Sequence, residues 1–171
     1  MQTQSIDFIK TLFQSRLTTL EHLLTSAQTH FGNTDSFLQQ RIVADMLPLG
    51  TQIAFTCNLT CIFYIGCDNK PANNLDPDVS SLNQAYGHIS NTKELLTGVN
   101  DVEDTKLADI TRIDLGQGMY IELSGNAYVN DFLIPNFYFH MVTAYDILRM
   151  AGVPIGKRDY MMHLVPLIKQ E

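Results

Sequence analysis

Apolar residues at Ile6, Ile9, Phe13, Leu17, Leu20, Leu24 and Ala27 step by three or four along the chain. That spacing draws one stripe on a helix, and Thr18, Glu21, His22 and Thr25 fall largely off it. Gly32-Asn33 supplies the usual stop. Phe37-Leu38 and Ile42-Val43 form a brief helical or irregular approach to a second long helix. Asp45 followed by Met46-Leu47-Pro48 reads as an N-cap with proline in the first turn, so this helix is predicted to start at Asp45 to Leu47. It continues along Leu49, Ile53, Cys57, Cys61, Tyr64 and Ile65 towards Gly66. The segment Lys70 to Pro77 is a loop on its Pro and Asn content alone. A third helix is predicted from Val79 to Leu96, with Leu82, Tyr86, Ile89, Lys93 and Leu96 on one stripe and Gly98 as its stop.

Between 111 and 124 the period changes from helical to alternating. A three-residue loop, Gly116-Gln117-Gly118, would set Leu115 opposite Met119 and Ile113 opposite Ile121. The same register faces Arg112 with Glu122, an opposite-charge cross-strand pair, so a β-hairpin is predicted. Two strands alone are marginal and must lean on the helices. The last long helix is predicted from Asn130-Asp131 to Ala151, apolar nearly all round, and Gly152-Val153-Pro154 ends it. Met161, Met162, Leu164, Val165, Leu167 and Ile168 form a second apolar patch, expected to pack on the helices or on a neighbouring molecule. Four long helices with one hairpin before the last predict an all-α fold, a four-helix bundle in one domain over 1–171.

Composition narrows the class without naming a function. The 171 residues are 45% hydrophobic and 17% charged, with a formal net charge of −7. No basic cluster accompanies that charge, which argues against a nucleic-acid partner. Apolar runs are broken well before the ~20 residues a membrane span needs. Met1 to Ser5 lack a basic-then-apolar leader, so the expected compartment is the cytoplasm. Cys57, Cys61 and Cys67 are odd in number and contain no CxxC, so they are expected to be reduced and to serve as core packing.

The residues that could carry chemistry are few. Asn136 and His140 stand four apart in the apolar run Leu133 to Leu148, about one helical turn, so both leave the same face. Placing polar groups in such a helix costs free energy unless they find partners. Asp45 and Gln52 on the second helix, and Tyr138, Thr143 and Tyr145 on the last, could join them. An imidazole with carboxylate and amide oxygens would suit a divalent ion with open positions for water, whose pKa it would lower. Each residue also has a structural reading: Asp45 as a helix cap, Asn136 as a partner for backbone groups at the helix start, His140 as a hydrogen-bonded core histidine. The histidines at 22, 30, 88 and 163 show no ligand spacing and read as surface or interface. Glu21 and Glu122 are the other acids of interest.

The blocks Ala44 to Leu49 and Pro135 to His140, followed by Ala144 to Arg149 and Gly152 to Tyr160, resemble an uncharacterised domain-of-unknown-function family similar to the DinB/YfiT-like metalloenzyme superfamily. The resemblance runs the whole chain in order. It implies an up-down-down-up four-helix bundle, usually homodimeric. In metal-binding members one His on the second helix and a His-x-x-x-His pair on the last hold a divalent ion such as zinc or nickel. His140 matches the second His of the pair, Asn136 stands at the first, and Asp45 is the nearest polar residue on the second helix. The implied function is small-molecule binding in a bundle cleft with a degenerate metal site. The alternative is a metal-dependent enzyme of the thiol S-transferase or hydrolase type using Asp45, Asn136 and His140.

Overall fold

The computed structural model describes residues 5–68, 74–99 and 110–169, with side chains at those positions except 65–68. The side chains of Ile65 and Cys67, and the first part of the loop expected at 70–77, lie outside the described residues. The chain is mostly helical, with one small antiparallel hairpin.

Helix α1, Ile6–Phe31, opens where Ser5 Oγ accepts the Phe8 N–H at 3.2 Å and stops at Gly32, whose φ of 76° suits a residue without Cβ. Its predicted stripe is buried throughout. A short 3₁₀ turn, Ser36–Gln39, buries Phe37 and Leu38. Helix α2 spans Leu49–Asp68, a later start than Asp45 to Leu47. The residue before a proline is steered away from helical backbone, so Leu47 stays out and the helix begins after Pro48. Asp45 lies exposed in the turn ahead of it, four residues before the first helical residue.

Helix α3, Leu82–Thr97, takes Ser81 as its N-cap, with the hydroxyl accepting the Gln84 N–H at 3.2 Å. Val79 is instead buried against α2. A Cβ on Gly50 would sit 2.3 Å from the Val79 carbonyl oxygen, so only glycine permits this approach. Gly50 opens α2 and Val79 just precedes α3, so these two helices start side by side and run parallel. Cys61 and Thr92, further along each, touch at 3.9 Å and agree.

Strands β1, Ile110–Gly116, and β2, Met119–Ser124, pair as predicted at Ile113 with Ile121 and Arg112 with Glu122. The turn is tighter than expected. Gly116 pairs with Met119, and the register shifts between Asp114 and Gly116, leaving Leu115 outside the ladder and exposed. Positive φ at Gln117 (53°) and Gly118 (78°) gives a two-residue primed turn, which matches strand twist better than a three-residue loop. Only Ile113 and Leu123 of the hairpin lean on the core. The Arg112 guanidinium also lies over the Tyr120 ring, 3.6 Å from its centre.

The last long helix forms without a loop after β2. A single turn, Gly125–Ala127, leads into a π-helical stretch, Tyr128–Leu133, and then helix α4, Ile134–Met150. The predicted start at Asn130-Asp131 falls inside the π stretch. Pro135 has no N–H for the carbonyl one turn back, and its ring crowds that carbonyl, which accounts for a widened turn just upstream. Gly152, at φ 91°, ends the run, followed by the short helix α5, Lys157–Tyr160, and a 3₁₀ turn, Met162–Leu167. Here the expected packing fails in part. Met161 and Met162 are half-buried, while Leu164, Val165, Leu167 and Ile168 are exposed.

The buried apolar residues form one cluster that draws on all four long helices. Phe13 joins three of them, meeting Phe63 at 5.4 Å and Phe137 at 4.6 Å between ring centres. Each fully buried ring of this kind contributes about 1.5–3 kcal/mol through water exclusion. Glu21 pairs with Lys93 at 2.8 Å, and Gln28 accepts from Tyr86 at 2.9 Å, so α1 and α3 run antiparallel. Cys57 and Cys61 are free and buried; burial pushes the Cys57 thiol up to about 12 and raises that of Cys61. Thiols so held are packing groups. No helix among the described residues is long and apolar enough to cross a membrane.

Candidate functional site

A groove of about 410 Å³ opens between α2 and α4. Phe55, Leu59 and Ile62 line it from α2; Asn136 and His140 line it from α4, with Phe132 of the π stretch beside them. The widened turn thus belongs to the groove wall. A third wall comes from Asn74, Leu75 and Pro77, ahead of α3. This segment is fastened at two points. The Asn58 amide donates to the Leu75 carbonyl at 3.2 Å and accepts the Leu75 N–H at 2.8 Å. A ring N–H of His88, at Nε2, donates to the Asp76 carbonyl at 3.0 Å.

His140 is the electrostatic centre of this groove. Its Nδ1 lies 2.7 Å from Gln52 Oε1, and Gln52 Nε2 donates to the Leu47 carbonyl at 3.1 Å. The second bond settles the amide orientation, because a carbonyl can only accept. Oε1 must then accept, so His140 carries its proton on Nδ1. Nε2 keeps a bare lone pair and has no partner among the described residues. Burial disfavours the charged ring and pushes its pKa down to about 4, so His140 is neutral near pH 7. Phe55 and Phe139 hold the ring edge-on at 5.1 and 5.2 Å. Asn136, one turn earlier, is half-buried, and its side-chain amide makes no hydrogen bond among the described residues.

The other residues singled out from the sequence separate. Gln52, 2% exposed, sits behind His140 as its support. Asp45 is exposed and does not line the groove; the polar residue of α2 that reaches His140 is Gln52. Tyr138 turns towards α1, where its hydroxyl accepts from Arg16 Nε at 2.9 Å. Tyr145 packs on Tyr160 at 5.5 Å and borders a separate 180 Å³ hollow. Thr143 donates to the Phe139 carbonyl within its own helix. Sequence reasoning missed Asn58, Phe55 and the 74–77 wall. Asn58 had a visible signal, an amide inside an apolar helix. The wall had none, because it is set by long-range packing.

A zinc or nickel ion of the kind the superfamily implies does not fit these side chains. Among the described residues no three His, Cys, Asp or Glu groups converge. Asn136 is a poor ligand, the Gln52 oxygen is taken by His140, and Asp45 is elsewhere. One imidazole nitrogen is not a zinc site.

The family model described as "Domain of unknown function (DUF1993)" matches residues 7–161. The chain belongs to that family. A crystal structure of a DinB family member protein from Shewanella denitrificans is similar to it, with a TM-score of 0.68 and 28% identity over 89% of this chain and 88% of that one. No curated protein matches it. This DUF1993 chain is therefore a DinB-like protein.

The block Gly152 to Tyr160 serves the fold. Asp159 accepts the Gly156 N–H at 2.8 Å and the His22 Nε2–H at 3.0 Å, which ties α5 to α1. The His22 bond, then the Gly156 bond, hold the Asp159 carboxyl below its usual pKa.

Proposed function

We propose that this DUF1993 chain is a small-molecule-binding protein and that the groove over Asn136 and His140 is its ligand site, at the place where the superfamily resemblance implies a metal. One observation carries the reading. The Leu47–Gln52–His140 chain of hydrogen bonds presents a neutral imidazole one turn from the Asn136 amide in a mostly apolar groove, with neither His140 Nε2 nor that amide partnered among the described residues. Apolar walls with a few convergent polar groups are the usual make-up of a ligand pocket. Support by a buried glutamine also orients the ring at no cost on binding.

The same reading takes the chain as one domain, an up-down-down-up bundle of α1 to α4. The pairings favour that order: α1 and α3 antiparallel, α2 and α3 parallel. His140 meets Gln52 and Phe55, while the earlier Phe137 and the later Phe63 both meet Phe13, so α4 is antiparallel to α2. It further takes the protein as a homodimer, because α4 leaves Phe139 58% and Met150 52% exposed, and Leu167 and Ile168 of the tail are exposed as well. Sedimentation at micromolar concentration tests the dimer, and a strictly monomeric profile removes it.

A fragment library screened by ligand-observed NMR against wild type and His140→Leu tests the site. Fragments that bind wild type and are lost in the variant are expected. A library in which no hit responds to the substitution overturns the assignment. Stoichiometric metal in protein purified without an affinity tag, lost in His140→Ala, would move the reading to a metal-dependent enzyme.

A further inference from the structure

We propose that the groove selects uncharged ligands that present an N–H beside a C=O, a primary carboxamide or a lactam, on a flat apolar body. This deepens the reading above and rests on it.

Among the described residues lining the groove there is no Lys, Arg, Asp or Glu. A charged ligand head would lose water there and gain no opposite charge from these residues, which is costly. The polar groups that remain are amides and one neutral imidazole. His140 Nε2 can only accept, because Gln52 holds the proton on Nδ1. The ligand must therefore bring a donor. Asn136, one turn away on the same face, carries an amide with both an N–H2 donor and a C=O acceptor, and turning the N–H2 to the ligand complements the lone pair of His140. Donor and acceptor side by side describe the edge of a carboxamide or lactam. Asn58 does not compete for that edge, since both ends of its amide already engage Leu75. Apart from the exposed amide of Asn74 at the rim, the remaining walls are Phe55, Leu59, Ile62, Leu75, Pro77 and Phe132, which suit an aromatic or branched apolar body.

Three probes of one shape test the class: benzamide, benzoate and benzylammonium, titrated at pH 7 into ¹⁵N-labelled protein. Benzamide should shift the Asn136 side-chain and His140 ring signals and bind at least about tenfold more tightly than either ion. Asn136→Ala should abolish that preference. Asn136→Asp should turn it towards benzylammonium, a reversal that mere loss of structure would not produce. Benzoate or benzylammonium binding wild type as well as benzamide does would overturn the ligand class and leave the groove as a binding site. If none of the three perturbs groove signals at millimolar concentration, the class and the binding site both fall.

Discussion

Replacing Gln52 with leucine tests the support behind His140. The glutamine is 2% exposed and makes two side-chain hydrogen bonds, to the Leu47 carbonyl at 3.1 Å and from His140 Nδ1 at 2.7 Å. Net loss of two such bonds costs about 1–3 kcal/mol. Two features pull the figure down. Leu47 is 44% exposed and His140 half-buried, so water reaches the orphaned groups, and the leucine side chain adds apolar burial. The expected loss is about 1–2 kcal/mol, read as a lower urea midpoint at unchanged slope. The sharper readout is the tautomer. A long-range ¹H–¹⁵N correlation at pH 7 should show His140 with its proton on Nδ1 in wild type. In Gln52→Leu the Nδ1 proton has no acceptor and its dominance should end. Wild type found with the proton on Nε2, or a variant that keeps it wholly on Nδ1, would refute the support and the ligand argument built on it.

Other expectations follow from the same contacts. Gly50→Ala should destabilise the protein by about 1–3 kcal/mol, since its Cβ would meet the Val79 carbonyl at 2.3 Å and neither backbone can yield cheaply; an unchanged urea midpoint would contradict that approach. Asn58→Leu should free the wall at 74–77, with faster hydrogen exchange at the Leu75 amide, which it now holds at 2.8 Å. His140, pushed down to about 4, should still be neutral at pH 5.5 by NMR. The unfolded ring takes a proton from about pH 6.5 downwards and the folded ring only near 4, so stability from this group is full above 6.5 and lost as pH falls to 4. Full burial would make that about 3 kcal/mol, and solvent screening of a half-buried ring reduces it to about 1–2. In a Cys67→Ser background, Cys57 and Cys61 should react with a thiol reagent no faster than the protein opens, because both are buried with raised thiol pKa values; rapid labelling of the native state would contradict core packing.

Much of the architecture was legible because it depends on local periodicity. The α1 stripe, the third helix (expected over Val79 to Leu96 and found at Leu82–Thr97) and the Arg112–Glu122 register each follow from residues close in sequence. Boundaries went astray where a single residue overrode the pattern. Pro48 delayed α2, Pro135 was preceded by a π stretch, and Gln117-Gly118 closed the hairpin one residue early.

Sequence alone determined that Asn136 and His140 share a face, because helical spacing is a property of neighbouring residues. It also placed Gln52 among the candidates, without a role. Only tertiary structure decided what that face looks at. Antiparallel packing of α2 on α4 put Gln52 behind His140 and chose its tautomer, while Asp45 was left in solvent and Tyr138 and Tyr145 went to another side. The third wall, brought in by Asn58 and His88, joins residues far apart in the chain. Contacts of that kind depend on the relative placement of whole helices, which no local pattern of polar and apolar residues encodes.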